Sequence, residues 1–281
     1  MSGAMPFKRD SIKFENRDVR LEKWEYFPKA LKQIRSLTPS SRYEMLFRGM
    51  PNSQFQLRST LERSALSTDG ILSVRKFIDQ VEFIRPTVES LRNTDIPRFE
   101  NIDPSKFFDD REVWYEKHYQ YLIYLRHHGF PSPLLDWTTS PYVAAFFAFR
   151  DEVAWRSGDS EAEVSIFAYV ERPHGHKSVA HSMPHIYWLG PRTKAHIRHI
   201  RQQSCYTVCV QDRQQTSFVP YSTELTSLHG NPGQDVFWKI TLPASERPKV
   251  IGDLESMNIN AYSLFDSEDS LMETLYNRCV P

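Results

Sequence analysis

Residues 126–150 constrain this chain more than any other stretch. They read Arg-His-His-Gly-Phe-Pro-Ser-Pro-Leu-Leu-Asp-Trp-Thr-Thr-Ser-Pro-Tyr-Val-Ala-Ala-Phe-Phe-Ala-Phe-Arg. Two histidines and a glycine end one apolar segment, and two prolines then hold an extended piece. Asp136, Trp137, Thr138, Thr139 and Ser140 arrive together in front of a second apolar segment. Ser140 or Thr139 can cap a helix, and Pro141 suits its first position because the missing N–H is not needed there. Ala144, Ala145, Phe146, Phe147 and Ala148 make that helix apolar nearly all round, which predicts burial. The polar cluster before it must therefore sit at the mouth of a core, where its groups are either satisfied or used.

Composition narrows the class. The chain has 281 residues, 40% hydrophobic and 25% charged, enough to bury a substantial core. Its 35 basic and 35 acidic residues cancel, so no global field draws it to nucleic acid or membrane. No apolar run approaches the roughly 18 residues that a membrane span needs, and the first residues lack the apolar segment of a secretory signal. Three cysteines, an odd number, argue for a reducing compartment and a cytoplasmic protein. Cys205 and Cys209 share one face of an alternating segment and read as small buried hydrophobes rather than metal ligands.

The coarse order is helices early and strands late. Helices are expected near Pro28 to Leu37, from Ile71 to about Ser90, and from Val113 to Leu125. Two more are expected at Pro248 to Met257 and Ser267 to Asn277. Strands are expected at Tyr43 to Gly49, Ala162 to Val170, residues 204–210 and Val236 to Leu242. Residues 172–192, with His174, His176, His181 and His185, read as a solvated loop. The pattern predicts an α+β fold, one domain with a helical N-terminal part and a mixed, mainly antiparallel sheet. Walker and dinucleotide loops, His-Glu-x-x-His, Gly-x-Ser-x-Gly and calcium-loop patterns are all absent.

Phe47-Arg48-Gly49, followed by His127-His128-Gly129, Pro131, Leu134-Leu135-Asp136-Trp137-Thr138 and the Ala144 to Phe147 helix, resembles the FRG domain, named for Phe-Arg-Gly. Arg198, Gln202, Ser204 and Tyr206 agree with the family's later pattern, as does Lys239-Ile-Thr-Leu-Pro followed by Leu254 and Ser263-Leu264-Phe265. The resemblance divides the chain into an N-terminal extension, residues 1–39, and an FRG domain, residues 40–278. Three places depart from the pattern. Ser132-Pro133 stands for Thr-Arg, Ser204 for glycine, and no proline follows Phe265.

A second resemblance implies an activity. Arg48-Gly49, then Thr138-Thr139-Ser140, then the Ala144 helix follow the order of ADP-ribosyltransferases, implying a similar fold and NAD as cosubstrate. It implies that Arg48, Gly49, Thr138 and Ser140 bind the dinucleotide, the arginine fork taking its pyrophosphate. The position of the catalytic glutamate falls at Gln202 or Gln203, neither of which can act as a carboxylate base. Asp136 is then the nearest acid, with His128 and Gln202 as its companions. No metal is expected.

Three functions are weighed. The first is an NAD-dependent ADP-ribosyltransferase or NAD glycohydrolase acting on a protein or nucleic-acid acceptor, as a toxin or antiviral effector. The second is a non-catalytic module that senses a nucleotide or binds a protein. The third is a nucleic-acid binder or modifying enzyme using the basic residues Arg192, Lys194, Arg198 and Arg201 with His196 and His199. The first two need a pocket at Arg48, and the third needs a continuous basic face.

Overall fold

The computed structural model describes residues 12–15, 17–38, 44–99, 111–151, 161–172, 182–190, 197–222 and 235–279. Among these residues, ten strands form one mixed sheet accompanied by eight α-helices. In chain order the strands are β1 (Ile12–Glu15), β2 (Asp18–Leu21), β3 (Leu46–Met50), β4 (Leu72–Ser73), β5 (Leu135–Thr138), β6 (Glu163–Glu171), β7 (His185–Trp188), β8 (Ser204–Asp212), β9 (Thr216–Phe218) and β10 (Asp235–Pro243). The helices are α1 (Phe27–Leu37), α2 (Val74–Arg92), α3 (Arg111–His127), α4 (Pro141–Phe149), α5 (Ile197–Arg201), α6 (Arg247–Ser256), α7 (Ala261–Phe265) and α8 (Glu268–Cys279). None of the helices is long and apolar enough to cross a membrane among the described residues.

The strand order is β1-β2-β10-β6-β3-β5-β8-β9-β4. All pairings are antiparallel except β2 with β10. Thr207 pairs with both Leu135 and Trp188, and Val210 with both His185 and Phe218, so β7 lies on the edge of β8 away from β5 and β9. The sheet is weakest in its middle. Strand β3 pairs with β6 over five residues but meets β5 at a single pair, Phe47 with Thr138.

Alternation along the strands places two helical layers on one face of the sheet. Phe47, Ile166, Ala168, Val236 and Ile240 pack with α1, α4 and α6 into one core cluster. Tyr206, Val208 and Val210 pack with α2 and α3 into another. Leu46, Leu135, Trp137, Cys205 and Cys209 face the opposite side, with Tyr169 and Tyr221. Both cysteines are thus small residues in an apolar cluster.

The N-terminal segment differs from the expectation. Residues 12–21 form a hairpin whose second strand pairs with β10, so part of the expected extension belongs to the sheet. Trp24 reinforces this, its backbone N–H donating to Glu246 Oε2 at 2.8 Å and its indole N–H to Asp253 Oδ2 at 2.9 Å. Helix α2 passes through Pro86 and ends at Asn93, whose φ of 48° closes it in the left-handed region. His185, expected in a solvated loop, is buried in β7. His174, His176 and His181 lie outside the described residues.

Candidate functional site

The seam between β3 and β5 opens into a cavity of about 440 Å³ between the two helical layers. That volume suits a small organic ligand. Each wall follows from a local rule of the sequence. Ser140 caps α4 by accepting from Val143 N–H at 3.3 Å, and Pro141 follows it. Helix α4 lies so close to β3 that a Cβ on Gly49 would stand 2.0 Å from the Ala144 carbonyl oxygen and 2.5 Å from the Ala148 nitrogen. Gly49 is therefore the condition of that close approach. Within α4 only Tyr142 and Phe147 are not buried, and Phe147 lines the cavity.

Arg48 follows Phe47 and by alternation should leave the cavity face altogether. The gap between β3 and β5 gives its guanidinium a path. Its Nη1 donates to the Asp136 carbonyl oxygen at 2.6 Å and stands 3.6 Å from Asp136 Oδ2. Arg126, from the last turn of α3, pairs with the same Oδ2. Neither Arg48 Nε nor Arg126 Nε has a partner among the described residues, although both atoms are buried. Burial lowers the Arg48 pKa from its usual 12.5, an effect that the Asp136 charge opposes. An arginine lowered from so high a value remains cationic at neutral pH.

Helix α3 ends in a left-handed glycine, Gly129 with φ 83°, while Phe130 N–H returns to the Leu125 carbonyl at 3.0 Å. This termination aims Arg126 and His127 at the cavity. His127 Nε2 lies 2.9 Å from the Tyr206 hydroxyl. Partial desolvation of a ring whose residue stays exposed is the main cause that lowers the His127 pKa below 6.5; Asp136 pulls the other way, and Arg126 adds to the lowering. The imidazole is therefore neutral at neutral pH. Burial also raises the Tyr206 phenol far above its ordinary range, with the Asp136 charge adding to the effect.

Opposite β5, α5 and the start of β8 supply Arg198, Gln202, Ser204 and Tyr206. Thr138 Oγ1 donates to the Gln202 carbonyl at 2.7 Å and accepts from Ser140 N–H at 3.1 Å. Gln202 Nε2 in turn donates to the Leu264 carbonyl at 3.2 Å. Three guanidiniums, those of Arg48, Arg126 and Arg198, thus line the cavity with one carboxylate, that of Asp136. Among the described lining residues the formal charge is therefore positive.

Of the residues expected at the site, Arg48, Gly49, Asp136, Thr138 and Gln202 line one cavity. Ser140 stands behind it as the helix cap. His128 packs its ring on Tyr124 at 4.2 Å between centroids, and its neighbour His127 lines the cavity instead. Sequence reasoning did not single out Arg126, although a signal for it existed. Tyr119, Leu122 and Arg126 recur at helical spacing, so the arginine continues a buried row. Arg192, Lys194 and His196 of the basic segment lie outside the described residues, His199 is buried, and Arg201 pairs with Asp266 at 2.9 Å.

Residues 43–157 match the family model of the FRG domain. The chain carries an FRG domain. Neither a curated protein nor a solved structure matches the chain. The FRG segment supplies the cationic wall from Phe47 to Phe147, including Arg48, Arg126, His127 and Asp136. The facing wall, from Arg198 to Tyr206 together with Phe265, lies beyond the matched FRG residues.

Proposed function

We propose that the cavity at the sheet seam binds a nucleotide through its diphosphate, and that the nucleotide is NAD, consumed by ADP-ribosyl transfer or hydrolysis. The observation that carries this reading is the Arg48–Asp136–Arg126 cluster. Two guanidiniums converge at the break in the sheet and keep buried N–H donors unspent. Paired forks of this kind recognise phosphate oxygens bidentately, and loss of water strengthens each contact. Phe147, Phe265 and Tyr206 supply apolar surface for the rest of the molecule.

The chemistry then divides among the lining residues. The bond from ribose C1′ to the nicotinamide nitrogen breaks with its electron pair leaving on nicotinamide. Asp136 is the one carboxylate among the described lining residues and counters the positive charge that develops on the ribose. The incoming nucleophile, water or an acceptor group, must lose a proton. The Asp136 carboxylate is committed to two guanidiniums, so the neutral His127 imidazole takes that proton.

A second reading, a nucleotide-sensing module without turnover, is favoured by the use of Gln202. Its amide is hydrogen-bonded to the chain, and no acid stands at that position. One experiment separates the two. NAD binding is measured by calorimetry, and nicotinamide release is followed in the same samples, for the native protein, Arg48→Lys and Asp136→Asn. Release in the native protein, with binding weakened and release lost in Arg48→Lys, supports the enzyme. Binding without release in the native protein moves the site to the sensing reading. Absence of NAD binding removes both.

A further inference from the structure

Phe265 occupies an unusual place. It closes α7, lines the cavity, and is only partly buried. Its ring meets Phe147 edge to face, with centroids 5.9 Å apart and planes at 84°. Two perpendicular rings of this kind make a corner. The Arg150 guanidinium, which lines a neighbouring hollow and not the cavity, lies 4.4 Å from the Phe265 centroid, so the ring stands between the two spaces.

The corner is held from α5. Arg198 Nε donates to the Phe265 carbonyl at 2.9 Å, Gln202 Nε2 donates to the Leu264 carbonyl, and Arg201 pairs with Asp266. Three consecutive residues, 264 to 266, are thus tied to three side chains of one short segment. The same segment is joined to β5 through Thr138 and the Gln202 carbonyl. The side chains that fix this wall come from the part of the chain outside the FRG match.

We propose that Phe147 and Phe265 form a stacking corner for the heterocycle of the nucleotide, and that Arg198 and Gln202 are positioning residues that hold this corner opposite the Arg48 and Arg126 guanidiniums. The proposal rests on the nucleotide reading above. An aromatic heterocycle is the class that fits, because a flat π-face gains from one ring by stacking and from the perpendicular ring by edge contact. The cationic cluster then takes the phosphates, and the corner decides which phosphate compounds are retained.

The test uses two probes, inorganic pyrophosphate and NAD, titrated by calorimetry into the full chain. Phe265→Leu keeps apolar volume without a ring, and Phe265→Tyr restores the ring. The expected result is that Phe265→Leu weakens NAD roughly tenfold or more while pyrophosphate binding is unchanged, and that Phe265→Tyr retains NAD. Gln202→Ala is expected to follow Phe265→Leu with both probes. Unchanged NAD affinity in Phe265→Leu overturns the corner, as does an equal loss of both probes. Native protein that binds pyrophosphate as tightly as NAD overturns it too while keeping the anion site. Native protein that binds neither removes the nucleotide reading itself.

Discussion

A guanidinium deprived of water needs partners, and Arg48 finds them in the Asp136 carbonyl and carboxylate while its buried Nε has none among the described residues. Lysine in its place would keep the charge and lose the fork. Arg48→Lys should therefore fold and bind pyrophosphate or NAD about 10- to 100-fold more weakly, as calorimetry beside a thermal melt will show. His127 yields a prediction of a different kind. Partial desolvation holds its folded-state pKa below the ordinary 6.5, so the unfolded chain takes the proton first as the pH falls. Its contribution to stability is complete above that value and is lost as the pH drops through it towards the folded-state value. His127→Gln removes this slope. Urea midpoints recorded from about pH 7.5 down to about pH 5 should fall less in the variant than in the native protein.

At the scale of elements, the contact of β3 with α4 has almost no slack. A methyl group at Gly49 meets backbone atoms of Ala144 and Ala148, which cannot rotate away as a side chain would. Gly49→Ala should cost about 3 kcal/mol in urea unfolding. A loss below about 1 kcal/mol would mean that the two elements separate easily. The sequence made α4 legible because cap, proline and apolar run agree there. It made Arg48 legible only through the resemblance of Phe47-Arg48-Gly49 to the FRG pattern. It did not reveal β1 and β2, whose four residues each are too short for alternation to register, though Val19 and Leu21 point inward and Asp18 and Arg20 outward. It also pointed to His128, where His127 lines the cavity. One residue is about 100° on a helix, and only the packing of α3 on β8 fixes which ring turns towards the cavity.

For the molecule as a whole, the FRG match and the folding unit do not coincide. Within the sheet β3 lies between β6 and β5, and β5 between β3 and β8. The FRG match ends at residue 157, before β6 and β8 begin. A fragment of residues 43–157 would hold β3 and β5 joined by one residue pair, with their outer edges bare. It should show no cooperative thermal transition and bind no nucleotide, by calorimetry and circular dichroism. A cooperative melt would show that the matched segment folds on its own.

The parallel pairing of β2 with β10 bears on the order in which the polypeptide leaves the ribosome. Val19 and Ile240 are partners, yet more than two hundred residues separate them. At roughly 5–20 residues per second, the first strands wait tens of seconds for the strand that pairs with them. Trp24 waits longer still for Asp253, and the cavity waits for Phe265. The nascent chain therefore carries part of the apolar side of α1 uncovered until β10 and α6 have emerged. Its site is completed only when the aromatic wall meets the arginines made long before.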